Sequence, residues 1–329
     1  MTRRTFAACA FGITQPGASR ERILSNMELV MGPLPKGIKE PLQIQVTEDQ
    51  RRDGCSIKLV SFASEAGDRV PACLLMPLER NRRLPAVVCL HQTTAIGKAE
   101  PAGLGGKPNL HYALELARLG FAAIAPDYPG FGSYRYDPYA HGYVSATMKG
   151  IWNHMRAVDL LQSLPEVEPD KIGAIGHSLG GHNALFLAAF DARVAAVVTS
   201  CGFTSFRRYM GGDLSGWSHR GYMPRIASEY GKSPDRMPFD FRDVLEAISP
   251  RPVFVSAPKM DSNFDPAGVD EAVANLPHVT LRHPDTGHDF PPEVRKESYE
   301  FLHRTFSGRS DAAFITEGSR KTSPFWLAK

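Results

Sequence analysis

An α/β architecture, with a mostly parallel sheet covered by helices on both faces, is what this sequence of 329 residues predicts. Two features predict it. From Pro85 onward, short apolar runs recur along the chain, as strands buried on both faces require. Between them lie longer stretches whose apolar residues return at helical spacing, and strands alternating with helices imply parallel crossovers.

Taken in order, Ile23 to Met31 reads as a short helix, with Pro33, Pro35 and Pro41 barring a longer one. Ile57 to Phe62 and Val70 to Met76 read as two early strands joined by the turn Glu65-Ala66-Gly67-Asp68. Ala86 to Leu90 is the first fully apolar strand. Leu110 to Leu119 is helical and stopped by Gly120, and Phe121 to Ala125 is the next strand. Met148 to Leu164 places Ile151, Met155, Val158, Leu161 and Leu164 on one helical face. Lys171 to Ile175 is a strand, and a helix from Leu179 to Phe190 follows it. Ala195 to Thr199, Val253 to Ala257 and the weaker Val279 to Arg282 complete the strands, and Glu293 to Phe306 is the last helix. The expected layout is an extension over residues 1–50, a core domain over 51–307 and a polar tail over 308–329 ending in Phe325-Trp326-Leu327. Within the core, about 202–238 is rich in Gly, Ser, Arg and Tyr, and a loop of that length suggests a lid or cap. Its Trp217, Tyr222, Met223 and Tyr230 either line a pocket or form the lid's own small core. Arg207 and Arg208 either attract an acidic acyl group or are ordinary exposed arginines.

Composition narrows the partners. The chain is 43% apolar and 22% charged with a net charge of +3, as for ordinary globular proteins, and has no basic block interleaved with aromatics. Nucleic acid is therefore not an expected partner. No run approaches the roughly 18 apolar residues that span a bilayer. The five cysteines, Cys9, Cys55, Cys73, Cys89 and Cys201, are widely spaced and form no C-x-x-C pair, so neither zinc nor a disulfide framework is expected. Cys73 and Cys89 lie in apolar strands and read as buried thiols. Thr2-Arg3-Arg4-Thr5-Phe6 followed by Ala7 to Ile13 resembles a twin-arginine export signal, but Gln15 to Ser19 cuts the apolar segment short. A cytoplasmic location is the expectation, with export as the alternative. Oligomeric state is not encoded in any readable pattern.

The chemistry is carried by Gly176-His177-Ser178-Leu179-Gly180-Gly181, a G-x-S-x-G motif between the strand ending at Ile175 and the helix starting at Leu179. A serine nucleophile needs this spacing. A tight strand-to-helix turn lifts its hydroxyl above the sheet, and glycines on either side let strand and helix approach closely. The N–H of Leu179, at the helix start, then points where an oxyanion would develop. The competing explanation is a glycine-rich turn without chemistry.

Serine alone is a poor nucleophile near neutral pH and needs a base held by a carboxylate. On strand–turn–helix serine sites the order along the chain is Ser, acid, His. His288, in Asp285-Thr286-Gly287-His288-Asp289-Phe290, is the candidate base, on a short loop before the last helix. His278 and His283, flanking the preceding strand, are worse placed. After the strand Val253 to Ala257, Pro258-Lys259-Met260-Asp261 offers Asp261 as the acid. Asp265, four residues on, is the competitor. A second oxyanion donor is expected on Leu90-His91-Gln92-Thr93-Thr94, with Thr93 N–H the candidate and His91 structural.

These elements resemble the α/β-hydrolase superfamily, and within it the dienelactone-hydrolase-like and acetylxylan-esterase-like branch. Ala125-Pro126-Asp127-Tyr128-Pro129-Gly130-Phe131-Gly132 is similar to a turn common in that superfamily, with Asp127 structural. The resemblance covers about Ile57 to Phe306. It implies the α/β-hydrolase fold and hydrolysis of a small-molecule carboxylic ester through an acyl-enzyme, with no metal or organic cofactor. Two departures stand out. Many relatives have His-Gly where this chain has His91-Gln92. Dienelactone hydrolases proper use cysteine where position 178 is serine, which favours ordinary ester chemistry. The rival readings are a prolyl-oligopeptidase-like peptidase, a binding protein on an inactive hydrolase scaffold, and an unrelated α/β enzyme. The first lacks room for a propeller before the core, the second must explain an intact Ser, Asp and His, and the third lacks phosphate-binding glycines.

Overall fold

Apolar runs form the middle of one nine-stranded sheet in the computed structural model, which describes residues 16–36 and 39–307. The strands are β1 (Gln45–Arg52), β2 (Cys55–Glu65), β3 (Asp68–Pro77), β4 (Leu84–Leu90), β5 (Ala122–Pro126), β6 (Val167–His177), β7 (Val194–Ser200), β8 (Val253–Ser256) and β9 (Val279–Arg282). Their order across the sheet is β1-β2-β3-β5-β4-β6-β7-β8-β9. The β1–β2, β2–β3 and β3–β5 pairings are antiparallel, and β5 through β9 run parallel.

The helices are α1 (Pro16–Met31), α2 (Tyr112–Arg118), α3 (Ala146–Ser163), α4 (Leu179–Phe190), α5 (Arg225–Ser228), α6 (Phe241–Ile248), α7 (Pro266–Val273) and α8 (Pro292–Ser307). Strand side chains alternate between two cores. Val88, Ile124, Ala174 and Val197 join one core with residues of α3 and α4. Val87, Ala123, Ile175 and Val198 join the other with residues of α2 and α8. Helix α4 is buried along residues 179–189, which explains why its sequence is apolar all round rather than amphipathic. Cys55, Cys73, Cys89 and Cys201 are free and buried. Lys149 on α3 is fully buried, with its ammonium 2.7 Å from Asp68 and 2.9 Å from Glu65 at the β2–β3 turn.

Beside α5 in the 202–238 segment, the structure adds three elements to those read from the sequence. Strand β1 is highly exposed along its length and sits at the sheet edge, so neither face carries an apolar signal. Helices α6 and α7 are each eight residues long, below the length at which periodicity speaks. Both carry readable caps instead: Asp240 and Asp243 form a capping box on α6, and Asp265 with Pro266 opens α7. Helix α1 starts earlier than expected, at Pro16.

The segment at 202–238 holds α5 and 3₁₀ turns at Tyr209–Gly212, Leu214–Trp217 and Pro234–Arg236. Trp217 and Met223 are buried in the main core, and Tyr230 packs against it. Tyr222 alone turns to a separate small cluster with Tyr128, Phe131, Ala146 and Leu179. The residues of the twin-arginine-like start, Cys9 and the tail 308–329 lie outside the described residues. Among the described residues no helix is long and apolar enough to cross a membrane.

The parallel strands also end level. His177, Ser200, Ser256 and Arg282 form one row of register partners across β6, β7, β8 and β9, and Leu90 on β4 pairs with Gly176. Every loop leaving that row opens on the same edge of the sheet, where α/β folds build their sites.

Candidate active site

Each candidate side chain follows one of these strand ends. Ser178 follows β6 and has φ 53° and ψ −117°, a strained backbone for a residue with a side chain. Its N–H donates to Ser200 O at 2.9 Å, which extends the β6–β7 ladder through the turn. The turn is possible only because of its glycines. A Cβ on Gly176 would overlap the Gly180 carbonyl, and one on Gly180 would overlap the Leu90 carbonyl. Among the described residues the Ser178 hydroxyl makes no hydrogen bond.

Asp261 and His288 meet. His288 Nδ1 lies 3.0 Å from Asp261 Oδ1 and 2.9 Å from Oδ2. Backbone bonds tie their two loops together: Ala257 N–H to Arg282 O at 2.9 Å, Lys259 N–H to Pro284 O at 3.1 Å and Met260 N–H to Thr286 O at 3.1 Å. Asp261 is buried, and burial by itself raises its carboxyl pKa. The bond to His288 and the Asn263 N–H outweigh burial and hold the carboxyl below the usual range. The His288 ring stands edge-on to that of His177, centroids 4.9 Å apart, immediately before Ser178 in the chain. Burial, reinforced by His288, depresses the pKa of His177 to about 3, so this neighbour stays neutral.

The competing residues are engaged elsewhere. Asp265 accepts from Ala267 N–H at 2.9 Å as the cap of α7. His278 bonds to Leu245 O at 3.0 Å, and His283 bonds to Ala257 O and Asp270.

Leu179 is the first residue of α4, so its N–H is among those with no partner inside the helix. Thr93, after β4, is exposed, and its N–H has no protein acceptor among the described residues. Its hydroxyl lies 2.9 Å from the Tyr222 hydroxyl. His91 anchors this loop. Its Nε2 accepts from Tyr128 N–H at 3.0 Å, which leaves Nδ1–H to donate to Gln92 O at 2.6 Å. Burial keeps the His91 ring neutral, as that pattern requires. Gln92 sends its side-chain amide to the buried Glu100 carboxylate at 2.9 and 3.1 Å. Asp127 is fully buried and accepts from the N–H groups of Lys98 and Ser133 and from the Lys98 ammonium.

Sequence reasoning assigned no local role to two residues here. Cys201 follows β7 with φ 47°, and its thiol donates to Asp289 O at 3.4 Å. Its Sγ and the donor atoms of Asp261 and His288 lie within 4.8 Å of one another, a mixed set of the kind zinc accepts, although two of the three are already bonded together. Tyr222 was noticed only as one aromatic of the insertion. Its place beside Thr93 and Leu179 depends on a tertiary contact over 129 residues of separation that no local pattern encodes.

The model of a family described as "Alpha/beta hydrolase family" matches residues 87–305. "Putative hydrolase YtaP" of Bacillus subtilis (strain 168) is 24% identical over 84% of this chain and 96% of its own. Among solved structures, a glucuronoyl esterase from Solibacter usitatus superposes with a TM-score of 0.71 at 18% identity, over 87% of this chain and 92% of its own. An acetyl xylan esterase from Paenibacillus sp. R4 superposes with a TM-score of 0.63 at 21% identity, over 89% of this chain and 95% of its own.

Proposed function

This chain belongs to the alpha/beta hydrolase family, and on that premise we propose that it is a serine esterase with Ser178 as nucleophile, His288 as base and Asp261 orienting the base. One observation carries the reading: the Asp261 carboxylate grips Nδ1 of His288 at 2.9 Å, beside the strained turn that presents Ser178. With Nδ1 so occupied, Nε2 is the nitrogen left to take a proton.

The reaction runs in two halves. Nε2 of His288 takes the Ser178 proton as the hydroxyl oxygen attacks an ester carbonyl carbon. The charge that develops on the carbonyl oxygen is met by the N–H groups of Leu179 and Thr93. The carbon–oxygen bond to the alcohol breaks, and the alcohol leaves with the proton from His288. Water then attacks the acyl-enzyme by the same route and regenerates Ser178. Asp261, ionised throughout, stabilises the imidazolium of each half. No step calls for a metal or an organic cofactor. The substrate class we favour is a small ester of a carbohydrate, because the similar solved structures include glucuronoyl and acetyl xylan esterases.

A fluorophosphonate probe and a hydrolysis panel test this. The panel sets p-nitrophenyl acetate, longer acyl esters, acetylated xylose and a methyl glucuronate ester against a dipeptide amide. The wild-type protein should be labelled once, at Ser178, and hydrolyse esters in preference to the amide. Ser178→Ala should fold normally and lose both activities. Undiminished ester turnover by that variant would end the proposal.

A further inference from the structure

Tyr222 lies between the two groups assigned to the oxyanion site. Its ring joins a small cluster with Leu179, the residue after the nucleophile, and its hydroxyl is 2.9 Å from the hydroxyl of Thr93. Resting on the reading of the site given above, we propose that Tyr222 is a positioning residue: its phenol holds the exposed Thr93 so that the Thr93 N–H faces Ser178.

Two sets of observations support this. The first concerns the loop. His91 fixes its root and Gln92 is bonded through its side chain to Glu100, yet Thr93 itself is exposed. Among the described residues the Tyr222 phenol is the only side-chain partner of the Thr93 hydroxyl. The Gln92 side chain gives the loop an anchor one residue earlier, and Thr93 receives its anchor from the 202–238 segment.

The second concerns the rigidity of Tyr222. Its carbonyl accepts from Thr147 N–H at 3.4 Å, and the neighbouring Gly221 carbonyl accepts from Tyr128 OH at 3.1 Å. Tyr139 OH donates to Arg220 O at 2.5 Å, and Met223 N–H to Trp217 O at 3.1 Å. The ring contacts those of His182, Trp217 and His219, with centroids 5.7, 6.2 and 4.2 Å away. A side chain held this way gives up little freedom when it bonds to Thr93, so it can order the exposed partner. The 202–238 segment thereby contributes to the catalytic edge of the sheet through one hydroxyl.

The test is a double-mutant cycle of Tyr222→Phe, which keeps the ring and its packing, and Thr93→Val, which keeps the backbone N–H. The rate of Ser178 labelling by a fluorophosphonate is read alongside kcat and KM for p-nitrophenyl acetate. Each single variant should lower the labelling rate and kcat by about three- to tenfold, the effect of one hydrogen bond, with KM little changed. The double variant should be no worse than the weaker single one. Tyr222→Phe within twofold of wild type, or a double variant whose loss is the product of the two single losses, would overturn the proposal. Wild-type protein that resists the probe and is matched in turnover by Ser178→Ala would instead remove the reading of the site itself, and this proposal with it.

Discussion

At the scale of single residues, the structure separates two loop aspartates that the sequence offers as rivals. Asp261 reaches His288, and Asp265 turns away to start α7. Their substitutions should therefore fail differently. Asp261→Asn should lower kcat for an ester by about 10³- to 10⁴-fold, through loss of the correct imidazole tautomer, with little loss of stability. Asp265→Asn should leave turnover near wild type. Asp265→Ala should cost about 1 kcal/mol of unfolding free energy, the usual toll of a lost N-cap, read from urea melts. A fall in turnover of similar size for Asp261→Asn and Asp265→Asn would contradict this division. Ser178, His288 and Asp261 could be picked out as candidates because their spacing follows strand ends. The contact of Cys201 with the same cluster could not, because its thiol is brought there by the parallel neighbour strand rather than by any local pattern.

At the scale of elements, the join between β4, β6 and α4 is the tightest constraint near the site. Gly180 packs its α-carbon against the Leu90 carbonyl, and that carbonyl also accepts the Tyr112 hydroxyl from α2. A methyl group at position 180 cannot be absorbed by a flexible side chain, since its neighbours are backbone. Gly180→Ala should therefore destabilise the protein by more than about 4 kcal/mol, seen as loss of soluble protein or a large fall in Tm. A variant that melts near wild type would show that the elbow is looser than described. Elements with an unbroken apolar or amphipathic pattern were legible to within a few residues: α4 runs from Leu179 to Phe190, and β9 from Val279 to Arg282, as the sequence suggests. Strand β1 and helices α6 and α7 were not. An exposed edge strand has no buried face to announce it, and two-turn helices are marked only by their caps.

At the scale of the whole molecule, buried histidines couple folding to acidity, His91 among them. His154, His177 and His182 have pKa values lowered to about 3, chiefly by burial. The unfolded chain takes up protons on these rings near pH 6.5, and the folded chain does so only near 3. Between those limits the unfolded state binds more protons, so stability rises with pH across that window and falls as the medium is acidified. The urea midpoint should drop steadily from pH 7 to pH 4, and His154→Gln should flatten the slope. An unchanged slope in that variant would show that His154 does not contribute. The fold class and its mostly parallel sheet were readable from the alternation of strands and helices. The number of antiparallel strands at one side was not, because the outermost of them, β1, is exposed on both faces and carries no apolar pattern.

The level row of strand ends divides the proposed machinery unequally. Ser178 hangs from β6, sixth from the far side of the ribbon of nine and fenced by strands to left and right, whereas its two helpers depend on the outermost pair, β8 and β9, stitched to each other by their loops. Acid and base therefore travel as one unit. Should that flank peel away, both would depart together and leave behind a serine still perched on an intact centre, chemically silent.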